Sequence, residues 1–325
     1  MKIKKKVLIT KELSKQSINK INEKLSNYYE ILIPSNYTKE EIIKNAKDIT
    51  ICIGTHLESY IIDYAPKLLI FQNIGSGIEG FDLNKLIKKE ILLTNSHENS
   101  IYVAEYAVTV ALNMSKNMNY YYSMLKEKNY LKYSKNNMHK IPTRLVSNKT
   151  IGIIGYGSIG KKIKKMLSGF NNKFYVISNK SKISNSINLY KKNLNQILSK
   201  SDIIFINVPL TKKTINMINL GNYKKLSNNC ILINTSRAEV ISYDVFELIL
   251  KDKKGISYDT FYKHKITNDN LKSELMKKYY NLIITPYIAS IDENKSFPMR
   301  DIILNLITYY KTNKLKNLIN FKKGY

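Results

Sequence analysis

Cysteine is nearly absent: the 325 residues contain only Cys52 and Cys230. Two thiols cannot build a disulfide framework, and both lie in apolar, strand-like runs, so they are expected as buried free thiols. No metal site is expected. No apolar run approaches the roughly 20 residues that a membrane span needs. The N-terminal stretch Met1–Thr10 is basic and then apolar. Its apolar part is too short for a secretory leader and no small-residue cleavage site follows, so it reads as a first strand with a basic lead-in. A cytoplasmic location is the expectation. Arginine is the other scarcity. In a chain of net charge +28, only Arg144, Arg237 and Arg300 are arginines, and the remaining basic residues are lysines. Specific nucleic-acid readers rely on the planar guanidinium fork. These lysines accompany abundant Asn, Ile and Tyr along the whole chain, with no basic block and no aromatic-interleaved stripe. That pattern is a compositional bias, and neither nucleic acid nor membrane is expected as a partner. No low-complexity linker and no solenoid-period repeat is present.

Short β-rich apolar runs alternate with longer helical patterns. Val7–Thr10, Glu30–Ile33, Ile49–Ile53, Leu68–Gln72 and Ile91–Thr94 read as buried strands, with helical stretches at Lys11–Leu25 and Lys39–Asn45. This alternation is the mark of a parallel sheet covered by helices on both faces. Ser100–Lys126 repeats apolar residues at helical spacing (Val103, Ala107, Val110, Ala111, Met114) and is long enough to cross between domains. Asn129–Ser147 is polar, contains Pro142 and reads as a loop. A second series of strands follows at Ile151–Ile154, Phe174–Ile177, Ile203–Asn207, Ile231–Asn234, Gly255–Tyr258 and Leu282–Ile284, and Ile291–Asn313 reads as a returning helix. The expected fold class is α/β with two doubly wound parallel-sheet domains. One comprises residues 1–98 with 290–325, and the other residues 99–289.

The densest local signal is GYGSIG over Gly155–Gly160, which follows an apolar strand and opens a helical pattern. Gly155 permits the tight turn, Gly157 lets a pyrophosphate approach the backbone, and Gly160 lets helix and strand pack closely. Tyr156, Ser158 and Ile159 complete a loop whose N–H groups open a helix N-terminus to phosphate. A Rossmann unit of this type places an acidic residue about 20 residues on, for the adenosine ribose 2′-hydroxyl. Here the next strand ends Ser178-Asn179-Lys180, without a carboxylate. A hydroxyl, an amide and an ammonium suit a 2′-phosphate, so NADP(H) is favoured over NAD(H).

Four stretches stand in order: Leu68–Asp82, Val103–Ala107 with the glycine turn, Ser201–Thr211 leading to Ile231–Ala238, and Tyr258–Phe261 with Ile284–Ser290. Together they resemble the D-isomer-specific 2-hydroxyacid dehydrogenases, in particular their glycerate- and phosphoglycerate-dehydrogenase-like, archaeal-type members. The resemblance implies a flavodoxin-like substrate domain beside the Rossmann cofactor domain. It implies oxidoreductase chemistry on a small 2-oxo or 2-hydroxy acid, and a homodimer. It assigns substrate-carboxylate binding to the loop Ile74, Gly75, Ser76, Gly77, and the α-keto acid to Arg237, whose fork fits a planar carboxylate better than lysine does. It places Val208, Pro209, Thr235, Ser236 and Asp259 around the cofactor, Asp259 at the nicotinamide amide.

The family's acid–base pair is replaced. Tyr287 stands where a histidine belongs in Thr285-Pro286-Tyr287, and His264 stands where the partnering glutamate belongs. Of the other histidines, His97 and His139 lie outside the motifs, and His56, just past a strand end, reads as a loop residue. Three readings stay open. Tyr287 donates the proton with His264 behind it; a phenol of reference pKa about 10 is protonated at neutral pH and competent as an acid in reduction. Alternatively His264 itself donates. In the third reading the chain binds cofactor without catalysis, as a sensor or corepressor-like interaction protein.

Overall fold

The computed structural model describes residues 4–127, 141–178, 189–252, 254–260, 269–291 and 299–322. In chain order the first elements are β1 (Lys6–Ile9), α1 (Lys15–Leu25), β2 (Glu30–Leu32), α2 (Lys39–Lys44), β3 (Ile51–Gly54), α3 (Ile61–Tyr64), β4 (Ile70–Asn73), α4 (Leu83–Lys88) and β5 (Leu92–Thr94). Next come α5 (Ser100–Lys116), α6 (Met118–Glu127), β6 (Thr150–Ile154), α7 (Ser158–Leu167), β7 (Lys173–Ile177), β8 (Leu189–Lys191), α8 (Leu194–Lys200) and β9 (Ile203–Ile206). The chain continues through α9 (Leu220–Tyr223), β10 (Ile231–Asn234), α10 (Tyr243–Lys251), β11 (Gly255–Tyr258), α11 (Asp269–Lys278), β12 (Leu282–Ile284) and α12 (Arg300–Thr312). Two compact units result, Met1–Asn99 with Ile291–Tyr325, and Ser100–Ser290.

In the first unit the strands pair in parallel in the order β2-β1-β3-β4-β5. The side-chain period of two sends alternate residues to opposite faces. Val7 and Ile9 of β1 join Ile51, Ile53 and Ile70 under α1 and α12, while Leu8 joins Cys52, Phe71 and Leu93 on the other face. Both faces are covered, so the strands read as unbroken apolar runs with no polar alternation. Burial pushes the Cys52 thiol up to about 12, and Cys230 likewise, so both stay protonated and inert.

The second unit is also parallel, ordered β12-β11-β10-β9-β6-β7-β8. Ile151, Ile153, Phe174, Val176, Phe205 and Ile233 pack beneath α5 and α7. Ile154, Ile204, Ile206, Leu232, Ile256 and Tyr258 face α8 and α10 on the other side. The helix expected from Ser100 through Lys126 is broken. Asn117 lies in the left-handed region (φ 51°), where asparagine is better tolerated than most residues, and its side-chain N–H donates to the carbonyl of Pro142 at 2.9 Å. Among the described residues no helix is long and apolar enough to cross a membrane, and no group of three or more His, Cys, Asp or Glu side chains could hold a metal.

A buried amide fastens α12 to the first sheet. Asn305, 2% exposed, donates to Gln72 Oε1 on β4 at 2.9 Å and to Thr94 Oγ1 on β5 at 3.1 Å. Its Oδ1 accepts from the Lys316 N–H at 2.7 Å. Removing the amide leaves several buried polar groups without partners. Asn305→Leu should therefore lower unfolding free energy by at least about 2 kcal/mol in denaturant titration. A loss within about 0.5 kcal/mol, the range of neutral surface substitutions, would show that the amide does not secure the helix.

Candidate functional site

Strand order reverses at β6, which lies between β7 and β9, and open α/β sheets bind ligands outside the carboxyl ends of their strands at such a switch point. The chain leaves β6 through Gly155, whose φ of 97° is closed to other residue types. A Cβ there would lie 2.5 Å from the Asn207 carbonyl oxygen and 3.0 Å from Val208 Cγ1. At Gly160 a Cβ would lie 2.6 Å from the Gly155 oxygen and 2.9 Å from Ile153 Cγ2, so α7 can settle on β6 only without a side chain there. At Gly157 a Cβ meets nothing within 4 Å. Among the described residues nothing fills the space beside Gly157, and the neighbouring backbone is open to a ligand. No side chain caps α7, as in α3, α10 and α12, whereas α1, α2, α4, α8 and α9 are capped by Ser14, Thr38, Asp82, Asn193 and Asn219. The first N–H groups of α7 remain available to an anion.

Around this turn, Tyr156 donates its N–H to the Ile177 carbonyl at 3.0 Å, joining the loop to the end of β7. Ser178 follows, half-buried. Asn179 and Lys180, expected as 2′-phosphate ligands, lie outside the described residues. Val208 is half-buried and Pro209 exposed just past β9. Thr235 Oγ1 donates to Asn207 Oδ1 at 2.8 Å, which ties the ends of β10 and β9 together, and Asn207 Nδ2 is buried with no partner among the described residues. Ser100 Oγ, Ser158 Oγ and Lys162 Nζ form a triangle with sides of 2.7, 2.8 and 3.1 Å at the start of α7. Lys162 and Ser100 escaped the sequence reading. The available signal was the four-residue spacing from Ser158 to Lys162, which puts both on one helix face.

Past β10, Ser236 is buried, with its N–H and hydroxyl both donated to Asn234 Oδ1 at 3.0 and 2.8 Å. Its carbonyl accepts from Thr260 Oγ1 and from Arg237 Nη1. Ser236 therefore shapes the turn and offers a cofactor no donor. Arg237 is half-buried and begins the 3-10 turn Ala238–Val240. Asp259 is 5% exposed and accepts from Thr285 Oγ1 at 2.8 Å, the Ile288 N–H at 2.9 Å and the Ala289 N–H at 3.1 Å. Burial pushes its carboxyl above the usual range, against the lowering effect of those three bonds. The side chain expected at the nicotinamide amide is thus engaged in holding the Thr285–Ala289 turn. Tyr106 of α5 supports the same turn through a hydroxyl contact with Thr285 at 2.5 Å.

The turn presents Tyr287, 46% exposed, with φ 59° and its N–H donated to the Asp259 carbonyl at 3.0 Å. A bulky residue in the left-handed region is strained, and such strain clusters at functional positions. His264, its expected partner, lies outside the described residues.

In the first unit, the loop after β4 is shaped by Asn73, whose Nδ2 donates to the Gly77 carbonyl at 2.7 Å and whose Oδ1 accepts from the Gly75 N–H at 3.3 Å. Ile74 is buried and donates its N–H to the Gly54 carbonyl at 2.9 Å. Ile74 and Gly75 therefore drop out of the expected set of carboxylate donors. The N–H groups of Ser76 and Gly77 have no partner among the described residues, and Ser76 is exposed. The loop is also braced from β5 by Asn95 Nδ2 on the Ser76 carbonyl at 2.9 Å.

A family model described as D-isomer specific 2-hydroxyacid dehydrogenase, NAD binding domain, matches residues 108–289. The chain is 27% identical to a glyoxylate reductase of Pyrococcus horikoshii over 99% of its own length and 94% of the relative's. Among solved structures, D-2-hydroxyisocaproate dehydrogenase superposes with a TM-score of 0.78 at 20% identity, covering 97% of this chain and 99% of the other. The NADPH-dependent glyoxylate/hydroxypyruvate reductase of Sinorhizobium meliloti, solved with NADP and malonate, does so at 0.75 and 18% identity, covering 99% and 98%.

The two loop glycines should separate under substitution. Gly157→Ala should leave the melting temperature nearly unchanged, because the new methyl meets no atom of the described residues within 4 Å, yet weaken dinucleotide binding measured by fluorescence titration. Gly155→Ala should lower stability by about 1 kcal/mol or more, from left-handed strain and the clash with Asn207. Equal stability of the two variants would contradict the geometry.

Proposed function

The chain belongs to the D-isomer specific 2-hydroxyacid dehydrogenases, and from that premise we propose that it is a reductase of a small 2-oxo acid that uses a nicotinamide dinucleotide, with NADP(H) preferred. The observation that carries the proposal is the Gly155–Gly160 turn, where positive φ, open backbone and close packing fall in turn on Gly155, Gly157 and Gly160, the order a diphosphate requires. Gly157, Ser158, Ile159 and Gly160 are the proposed diphosphate contacts. Val208, Pro209 and Thr235 are proposed along the cofactor, with Asp259 acting through the turn it holds. The preference for NADP(H) rests on Ser178, Asn179 and Lys180. The relatives carry reductase and dehydrogenase names, so the binding-only reading is not favoured.

The dinucleotide, when bound, supplies the hydride. The Arg237 guanidinium is proposed to hold the carboxylate and carbonyl oxygens of the oxo acid in one plane, which orients the carbonyl carbon and favours negative charge developing on its oxygen. Ser76 and Gly77 are proposed to donate their open N–H groups to the substrate carboxylate. Tyr287 is proposed to deliver the proton to the carbonyl oxygen as hydride arrives at carbon, with His264 as the alternative donor. Its exposure and its backbone strain support Tyr287 in this role. A homodimer is also proposed. Met118, Tyr122 and Leu125 are 58%, 68% and 43% exposed along one side of α6, and an apolar stripe of this kind favours association.

The test is binding of NADPH and NADH, followed by cofactor oxidation with glyoxylate, hydroxypyruvate and pyruvate. Tyr287→Phe should lower turnover by at least about a hundredfold, the low end for loss of a general acid, while His264→Ala should not. The reverse result moves the donor to His264, and equal affinity for the two cofactors removes the NADP(H) preference. Tight binding with no turnover on any substrate sinks the reductase reading. Sedimentation equilibrium should report a dimer that Tyr122→Glu dissociates; a monomeric wild type contradicts the proposed assembly.

A further inference from the structure

We propose that Lys162 is the cation that meets the cofactor's diphosphate, held ready at the glycine turn by Ser100 and Ser158; the inference rests on the dinucleotide reading above. Lys162 lies one turn into α7, four residues after Ser158, and helical side chains lean toward the N-terminus. Its ammonium follows that lean, reaching Ser158 Oγ at 3.1 Å and Ser100 Oγ at 2.8 Å. This is the unfavourable end of the helix for a positive charge, because the N-terminus already carries the positive pole of the macrodipole. Lys164 and Lys165 sit in the last turn, where a cation is favoured.

Among the described residues Lys162 has no compensating acid: its partners are the two hydroxyls, and no carboxylate lies within ion-pairing distance. The side chain is half-buried, whereas the adjacent Lys161 is exposed, so its position is set by packing and hydrogen bonds. Ser100 is 2% exposed and opens α5, so the tether comes from a second helix packed on α7. A half-buried ammonium at a positive helix end, bonded among the described residues to neutral oxygens alone, is arranged for an anion. A diphosphate beside Gly157 replaces neutral acceptors with charged ones, which make the shorter and stronger bonds. Ser158 can then accept from Lys162 and donate its own hydrogen to a phosphate oxygen. The ligand class is the diphosphate bridge of a dinucleotide. The same contact applies to NAD and NADP, because the bridge is common to both.

The experiment is titration of the full chain with NADPH and with ADP-ribose, followed by calorimetry at low and high salt. Lys162→Gln keeps a polar group for the two serines and removes the charge, and Lys162→Met removes both. Each should raise Kd for both probes by about tenfold or more at low salt, and flatten the salt dependence. Lys161→Met, which removes an equal charge from an exposed site, should change Kd by less than about twofold, and Lys162→Arg should recover part of the affinity. Folded Lys162→Gln protein that binds ADP-ribose as tightly as wild type, with the same salt dependence, overturns the inference alone. A wild-type chain that binds neither probe overturns the dinucleotide reading and this inference with it.

Discussion

Residue 155 has no Cβ, and the arrangement of the second unit turns on that fact. With φ at 97° and an Asn207 carbonyl oxygen where a side chain would begin, only glycine lets the chain leave β6 and reverse into α7. The reversal sets the helix start beside the neighbouring strand ends. The second close approach, at Gly160, then presses α7 onto Ile153 and leaves the first turn uncapped. Steric exclusion at two positions thereby aims a row of N–H groups at a space that no described residue fills. Much of what is proposed for the site follows from that aim, including the role of Lys162, whose ammonium reaches the Ser158 hydroxyl at the start of α7.

A buried carboxylate does the corresponding work for the far end of the unit. Asp259 holds Thr285, Ile288 and Ala289 at once, and Tyr106 steadies Thr285 from α5. Three hydrogen bonds offset much of the cost of burying a charge, though burial still dominates. The stiffness of this turn explains how Tyr287 is kept at φ 59° against its own preference. In the first unit asparagine amides have the same function, with Asn73 and Asn95 fixing the loop that leaves Ser76 and Gly77 open. In a chain rich in asparagine and poor in glycine and proline, side-chain amides take over the shaping of turns.

Much of the fold was legible in the residues themselves. The strands in both halves show as apolar runs because parallel strands are buried on both faces, and the helices between them show the longer period. The break at Asn117 was not legible, since its flanks keep helical spacing and asparagine marks a left-handed residue only weakly. Strand β8, with the sequence LYK, is short and partly exposed, and carries too little pattern to stand out. Around the site, the geometry of the glycine turn was legible by motif, and the roles proposed for Arg237 and Tyr287 start from their places in motifs. Ile74 and Ser236 were expected to touch ligands, but their N–H groups are taken by Gly54 and Asn234, and no motif announces such pairings.

By itself the sequence determined what local physics can encode: two sets of alternating strands and helices, the residue free of a Cβ at each tight point, and the place of one arginine among many lysines. Hydrophobic period and backbone sterics act within a few residues, so they survive translation into a one-dimensional pattern. Only the tertiary structure decided which polar groups remain open. Lys162 finds Ser100 across 62 positions, Asp259 reaches Ala289 across 30, and Asn305 reaches Gln72 across 233. A donor is available to a ligand only if no such distant partner has claimed it, and that is settled by packing the elements together.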